Sequence, residues 1–128
     1  MDTSRINKLR GILESRRDSL SERVQNRNAI AIENAADVMD EVRLAEERDL
    51  ATRILERDFT DIRLVEAALT RIEDGTYGFC LQCDETISWN RLRVMPDAAF
   101  CVNCQEAAER DGANVFSLIK SVTGAFVA

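Results

Sequence analysis

Over residues 3–30, apolar side chains recur at Ile6, Leu9, Leu13, Leu20 and Val24, in steps of three, four or seven, between polar and charged positions. At 3.6 residues per turn those positions share one face, so the spacing predicts an amphipathic helix. Arg16 stands where the stripe wants another apolar residue. At 1.5 Å per residue such a helix is roughly 40 Å long. The pattern lapses over residues 31–36, where Asn34, with Asp37 three positions on, reads as an N-cap for a second helix. Leu55, Phe59, Ile62, Val65, Leu69 and Ile72 mark its inward row, and Gly75 after Asp74 supplies a left-handed stop. This second helix, of about 39 residues, spans roughly 58 Å. Neither helix can bury its stripe alone, and the short connection forces them to fold back on one another. The expected architecture is mainly α: an antiparallel coiled-coil hairpin over residues 1–75, with its tip near 31–42.

Beyond Gly75 the pattern changes. Residues 80–83 read C-L-Q-C, seventeen residues follow, and residues 101–104 read C-V-N-C. Cys80, Cys83, Cys101 and Cys104 are the chain's four cysteines, and two C-x2-C pairs at this separation have the spacing of a four-thiolate zinc site. Each pair delivers two sulfurs from one tight turn toward a tetrahedral ion with bonds of about 2.3 Å. Two disulfides or a redox-active C-x2-C are the competing readings. The start of the chain has no secretory-type stretch, which disfavours an oxidising compartment, and there is no βαβ pattern of the kind that carries redox pairs. Thiol-based sensing through a labile zinc is a minor variant. Four cysteines leave zinc no open position, and the chain has no histidine, so catalytic zinc arrangements are excluded.

Within the module, residues 76–110, Gly78 frees the backbone before the first knuckle and Met95-Pro96-Asp97 makes a turn before the second. Ile87, Trp89, Leu92 and Val94 are the expected apolar cluster over the metal, with packing favoured over partner binding for Trp89. Residues 102–110 favour a short helix ended by Asp111-Gly112. The tail, 111–128, carries Val115, Phe116, Leu118, Ile119, Val122 and Phe126, enough for an amphipathic C-terminal helix. It is expected to dock on the hairpin base, with a partner or self-association surface as the alternative.

Charge narrows the partners. The net charge is −6, and residues 37–74 hold twelve acidic groups against six basic ones. Sequence-specific binding to free DNA needs a basic face that this chain lacks. No apolar run is long enough to cross a membrane, and a cytoplasmic location is expected. Enzymatic chemistry has little to stand on: histidine is absent, the cysteines are committed, and there is no glycine-rich phosphate loop. The acids at the hairpin tip, Asp37, Asp40 and Glu41, complement the N-terminal dipole of the second helix, which by itself is a structural explanation for them.

Glu73-Asp74-Gly75-Thr76-Tyr77-Gly78-Phe79-Cys80, the seventeen-residue spacing, Arg91-Leu92 and Met95-Pro96 together resemble the DksA/TraR family of bacterial transcription regulators. The likeness covers roughly residues 30–110. Counting back from Cys80, D-V-M-D-E-V falls where that family has D-x-x-D-x-A, which puts Asp37 and Asp40 on its two tip aspartates and Val42 in place of its alanine. The resemblance implies a hairpin that enters the secondary channel of RNA polymerase, with the tip aspartates acting near the active-site metal and bridge helix. It also implies an alarmone (ppGpp) site in some members. Here Arg53 and Arg57 remain for such a site, while Leu64 and Gln105 stand where the responsive pattern has lysines. The expected function is polymerase-dependent regulation of initiation; the alternative is a structural or adaptor coiled coil that binds another protein.

Overall fold

The computed structural model describes residues 3–34, 41–112 and 119, with the side chains of 28–34 left aside. Two long helices dominate it: α1, Thr3–Asn34, and α2, Glu41–Asp74. At 32 and 34 residues they are about 48 and 51 Å long. They run antiparallel. Arg10, Glu14 and Arg17 of α1 line one groove with Leu69 and Glu73 of α2, whereas Arg23 and Arg27, further along α1, meet Asp58, further back along α2.

The stripe on α1 is as expected: Leu9, Leu13, Leu20 and Val24 are buried and Ile6 packs against the core. On α2 most of the expected row holds: Val65 and Ile72 are buried, Ile62 and Leu69 pack against the core and Leu55 is half-buried. Phe59 is the correction, 44% exposed, while its neighbour Asp58 and Ala68 are buried instead. Positions 58, 61, 65, 68 and 72 form the seam, in the alternating three- and four-residue steps of a heptad. An eye drawn to large apolar residues settles on Phe59; the helix instead turns the aspartate inward. Asn34 is a second correction. It is the last residue of α1, and α2 begins at Glu41, so it does not cap the second helix; helical backbone runs on through residues 31–34, where the apolar periodicity has stopped.

α2 ends as Gly75 predicts. Gly75 has φ +78, its N–H donates to the Ile72 carbonyl (3.3 Å), and the Thr76 N–H donates to Arg71 (3.0 Å), the paired bonds of a Schellman stop. The chain then enters the cysteine module, which holds two short helices, α3 (Trp89–Val94) and α4 (Val102–Arg110). Ser88 caps α3 with its side chain, and Gly112, φ +82, follows the end of α4. One core runs through hairpin base and module: Leu9, Leu13, Val65, Ala68 and Ile72 belong to the same buried cluster as Tyr77, Ile87, Leu92 and Phe100. Trp89 packs against that core, with the Arg5 guanidinium 4.7 Å from its ring centre. Val94 does not join it; at the end of α3 it is 75% exposed. Of the tail, Ile119 is described, and it is buried in the same core.

Candidate functional site

The two cysteine turns are built by the backbone. In the first, the Asp84 N–H returns to the Cys80 carbonyl (3.0 Å) and the Cys80 N–H donates to Glu85 (2.7 Å), with Asp84 at φ +61. Gly78, φ +91, accepts from the Ile87 N–H at 2.7 Å, closing the loop that presents the turn. In the second, Cys101 is the N-cap of α4 and its sulfur accepts from the Cys104 N–H at 3.5 Å. The Leu81 N–H donates to the Ala99 carbonyl (3.0 Å), which ties the turns together.

The four sulfurs lie within 4.8 Å of one another, and Cys83 Sγ is 3.8 Å from Cys101 Sγ. A tetrahedron with zinc–sulfur bonds of about 2.3 Å has edges of about 3.8 Å, so the spacing is that of a zinc site. The donors' electrostatics agree. Burial opposes ionisation of Cys80, but N–H groups of the two turns and the Cys83 thiol outweigh it and bring Cys80 down to about 7. Cys104 is pushed well up, first by its hydrogen bond with the Cys101 thiol, then by burial and the remaining sulfurs. Thiols this close cannot all ionise without a cation among them. Zinc supplies that charge, and with four protein sulfurs the site is closed and structural.

Around the metal site, two arginines hold the module in shape. Arg91 donates from Nε to the Phe100 carbonyl (3.0 Å) and from Nη2 to Gln105 Oε1, so one guanidinium joins α3, the approach to Cys101 and α4. Gln105 in turn donates to Glu109 (3.0 Å). Arg71 of α2 is 8% exposed and its Nη2 reaches the Ala98 carbonyl at 3.5 Å. Beside it Tyr77 donates its hydroxyl to the Pro96 carbonyl at 2.7 Å. Burial pushes the Arg71 guanidinium below its ordinary range, against the pull of Tyr77 and Asp97.

Toward the other end of the hairpin, Arg53 and Arg57 are exposed on α2, and Arg53 Nε donates to the Asp49 carbonyl at 3.4 Å. Leu64 is half-buried against the core. Val42 is 67% exposed near the start of α2. Asp37 and Asp40 lie outside the described residues. The Asp58 contacts and Arg71 carried no sequence motif, whereas Arg91 belonged to the Arg91-Leu92 pair of the family likeness; for Asp58 the seven-residue step to Val65 and Ile72 was the available signal.

A long antiparallel helical hairpin closed at its base by a four-cysteine zinc module defines a zinc-stabilised coiled-coil protein. Residues 75–110 match the prokaryotic dksA/traR C4-type zinc finger. The chain is 30% identical over 112 residues to the RNA polymerase-binding transcription factor DksA of Escherichia coli K12, covering 85% of this chain and 74% of that one. It is 38% identical over 78 residues to the protein of that name from Caulobacter vibrioides, covering 61% of this chain and 55% of the relative, so it spans about half of that protein's length. The structure of transcription factor DksA2 from Pseudomonas aeruginosa superimposes with a TM-score of 0.79 at 25% identity, over 88% of each chain. The chain belongs to the DksA/TraR family.

Proposed function

We propose that this chain is a non-enzymatic regulator that binds RNA polymerase, passes its hairpin through the secondary channel and modulates initiation through Asp37 and Asp40 at the tip. The observation that carries the reading is a stiff arm of about 50 Å rooted by a shared core in a closed zinc module, in a family whose relatives are named for polymerase binding. A specific interface needs about 1,000 Å² or more, which a tip of a few residues cannot supply, so docking area comes from the hairpin flanks and zinc base. Charge then acts at the tip, where carboxylates near a metal or a mobile helix bias the balance between polymerase states. Val42 places a branched side chain where the family pattern has alanine, making the close contact there bulkier.

The alarmone is a lesser partner in this reading. Arg53 and Arg57 are exposed and available to phosphate, but Leu64 is turned to the core and Gln105 is held by Arg91 and Glu109. Neither replaces the charge-assisted phosphate bond of a lysine. The net charge of −6 argues against sequence-specific DNA binding, and among the described residues no helix is long and apolar enough to cross a membrane. A cytoplasmic regulator fits both. Co-purification of the zinc-loaded protein with core RNA polymerase tests the proposal: a stoichiometric complex is expected, and failure to bind core enzyme at micromolar concentrations overturns it.

A further inference from the structure

The seam between α1 and α2 changes character halfway along. Near the base it is apolar, with Leu9, Leu13 and Leu20 on α1 against Val65, Ala68 and Ile72 on α2. Further out Val24 is still buried on α1, but it is flanked by Arg23 and Arg27, and the α2 seam position facing them is Asp58, with Asp61 next along the same row. Asp58 is 1% exposed, as deep as Leu9. Arg23 Nη2 donates to its Oδ1 at 2.6 Å; Oδ2 has no hydrogen bond and lies 3.6 Å from Arg27 Nε. The arginines keep contact with water, with side chains 57% and 39% exposed. Beyond this cluster, positions 45–53 of α2 are exposed throughout, and Leu50 is 54% exposed.

We propose that Asp58, gripped by Arg23 and Arg27, is a pairing clasp: it fixes which helix faces which, and at what separation and rotation, just beyond the continuous apolar core. A buried ion pair is a weak source of stability, since desolvation cancels most of its attraction, but a polar group at one seam position selects among pairings. Apolar seams tolerate rotation and alternative partners. Asp58 accepts only a cationic neighbour. Pairing α2 with a second α2 would set aspartate against aspartate, and pairing α1 with a second α1 would set arginine against arginine, so the charges favour the α1–α2 hairpin over helix exchange between copies. The clasp also aims the arm. Asp58 lies seventeen residues, about 25 Å, from Glu41, so a tilt of about 10° there moves the far end by about 4 Å. This inference concerns the free protein and stands independently of polymerase binding.

Nitroxides on unnatural, cysteine-free side chains at exposed Gln25 and Glu56 report the pairing as a distance distribution, measured on the full zinc-loaded chain. The parent is expected to give one narrow distance. Asp58→Leu is expected to keep or raise the melting temperature yet broaden the distribution about two-fold or split it, with concentration-dependent association. Asp58→Asn, which keeps the shape and removes the charge, is expected to broaden it as well and is decisive if the leucine variant loses its zinc. Swapping the charges, Arg23→Asp and Arg27→Asp with Asp58→Arg, is expected to bring back a single narrow distance. A narrow parental distance in both Asp58→Leu and Asp58→Asn overturns the clasp.

Discussion

Arg16 of α1 and Asp97 of the turn before the second cysteine pair face each other at 3.6 Å, their side chains 44% and 12% exposed. Arg16 is the residue that interrupts the apolar stripe of α1, and the interruption falls where the hairpin meets the zinc module. Because the arginine is well hydrated, the pair steers the module more than it stabilises it. Arg16→Ala is therefore expected to cost less than about 1 kcal/mol. Arg71→Ala, which removes a buried stem and the donor facing Ala98, is expected to cost about 2–3 kcal/mol. Urea titrations of the two variants, followed by helix signal at saturating zinc, compare them; equal losses would contradict the larger role given to the buried Arg71.

Tyr77 gives a pH signature. Burial, reinforced by Asp97 and opposed by Arg71, raises its phenol to about 12. The unfolded value is about 10, so the neutral phenol is favoured in the folded state. The resulting stabilisation is complete below pH about 10 and is lost as the pH climbs through the folded value. Tyr77 is the only tyrosine, so tyrosinate absorbance follows it without ambiguity. In the native protein the absorbance should rise well above the midpoint seen in denaturant. Tyr77→Phe should abolish the signal and cost about 1 kcal/mol through the lost bond to Pro96.

Removing zinc should reach beyond the module. Ile87, Leu92 and Phe100 share a core with Leu9, Leu13 and Ile72, so chelation or Cys101→Ser is expected to unfold residues 76–110 and loosen the adjoining hairpin base. Much of the helical signal should survive, because α1 and α2 also pack on each other. Circular dichroism alongside zinc release measures both. An unchanged thermal transition in the metal-free protein would refute a structural role for the ion.

What was legible in the sequence follows from how local the determining physics is. The zinc site and the stop at Gly75 were readable because both are set by a few neighbouring residues. Most of the α2 row was readable as well, since Ile62, Val65, Leu69 and Ile72 meet the core, but Phe59 was not: burying the adjacent Asp58 instead makes sense only once Arg23 and Arg27, far away in sequence, are known to face it. Val94 was misplaced for a similar reason, since α3 is a short helix whose last residue points away from the core that Leu92 enters. Asn34 misled because cap preference is a local signal that a continuing helix overrides.

Under the proposed function, the alarmone should add little to this chain's effect. Leu64 packs on the core and Gln105 is engaged by Arg91, leaving Arg53 and Arg57 as the remaining cationic candidates. Transcription with and without ppGpp, at fixed protein concentration, is expected to change by less than about three-fold, because Leu64 and Gln105 supply no charge-assisted bond to phosphate. A large synergy that vanishes in Arg57→Ala would show that the arginines suffice.

The tip should act separately from docking. In the sequence Asp37 and Asp40 fall between the end of α1 and the start of α2, the stretch that the proposed function treats as the tip of a hairpin rooted in the shared core. If docking area lies along the flanks and base and the tip acts as proposed, neutralising the tip leaves affinity nearly intact while removing its effect on the polymerase. Asp37→Asn with Asp40→Asn is expected to keep affinity for core polymerase within a few-fold and to remove most of the effect on promoter output. Stability should fall by no more than about 1–2 kcal/mol, the scale of losing acids at a helix N-terminus. If those aspartates serve only the helix dipole, the melting temperature drops and activity per folded molecule is unchanged. Melting temperature, competition binding and promoter output on one double mutant separate the two, and full activity with a lowered melting temperature would remove the regulatory role from the tip.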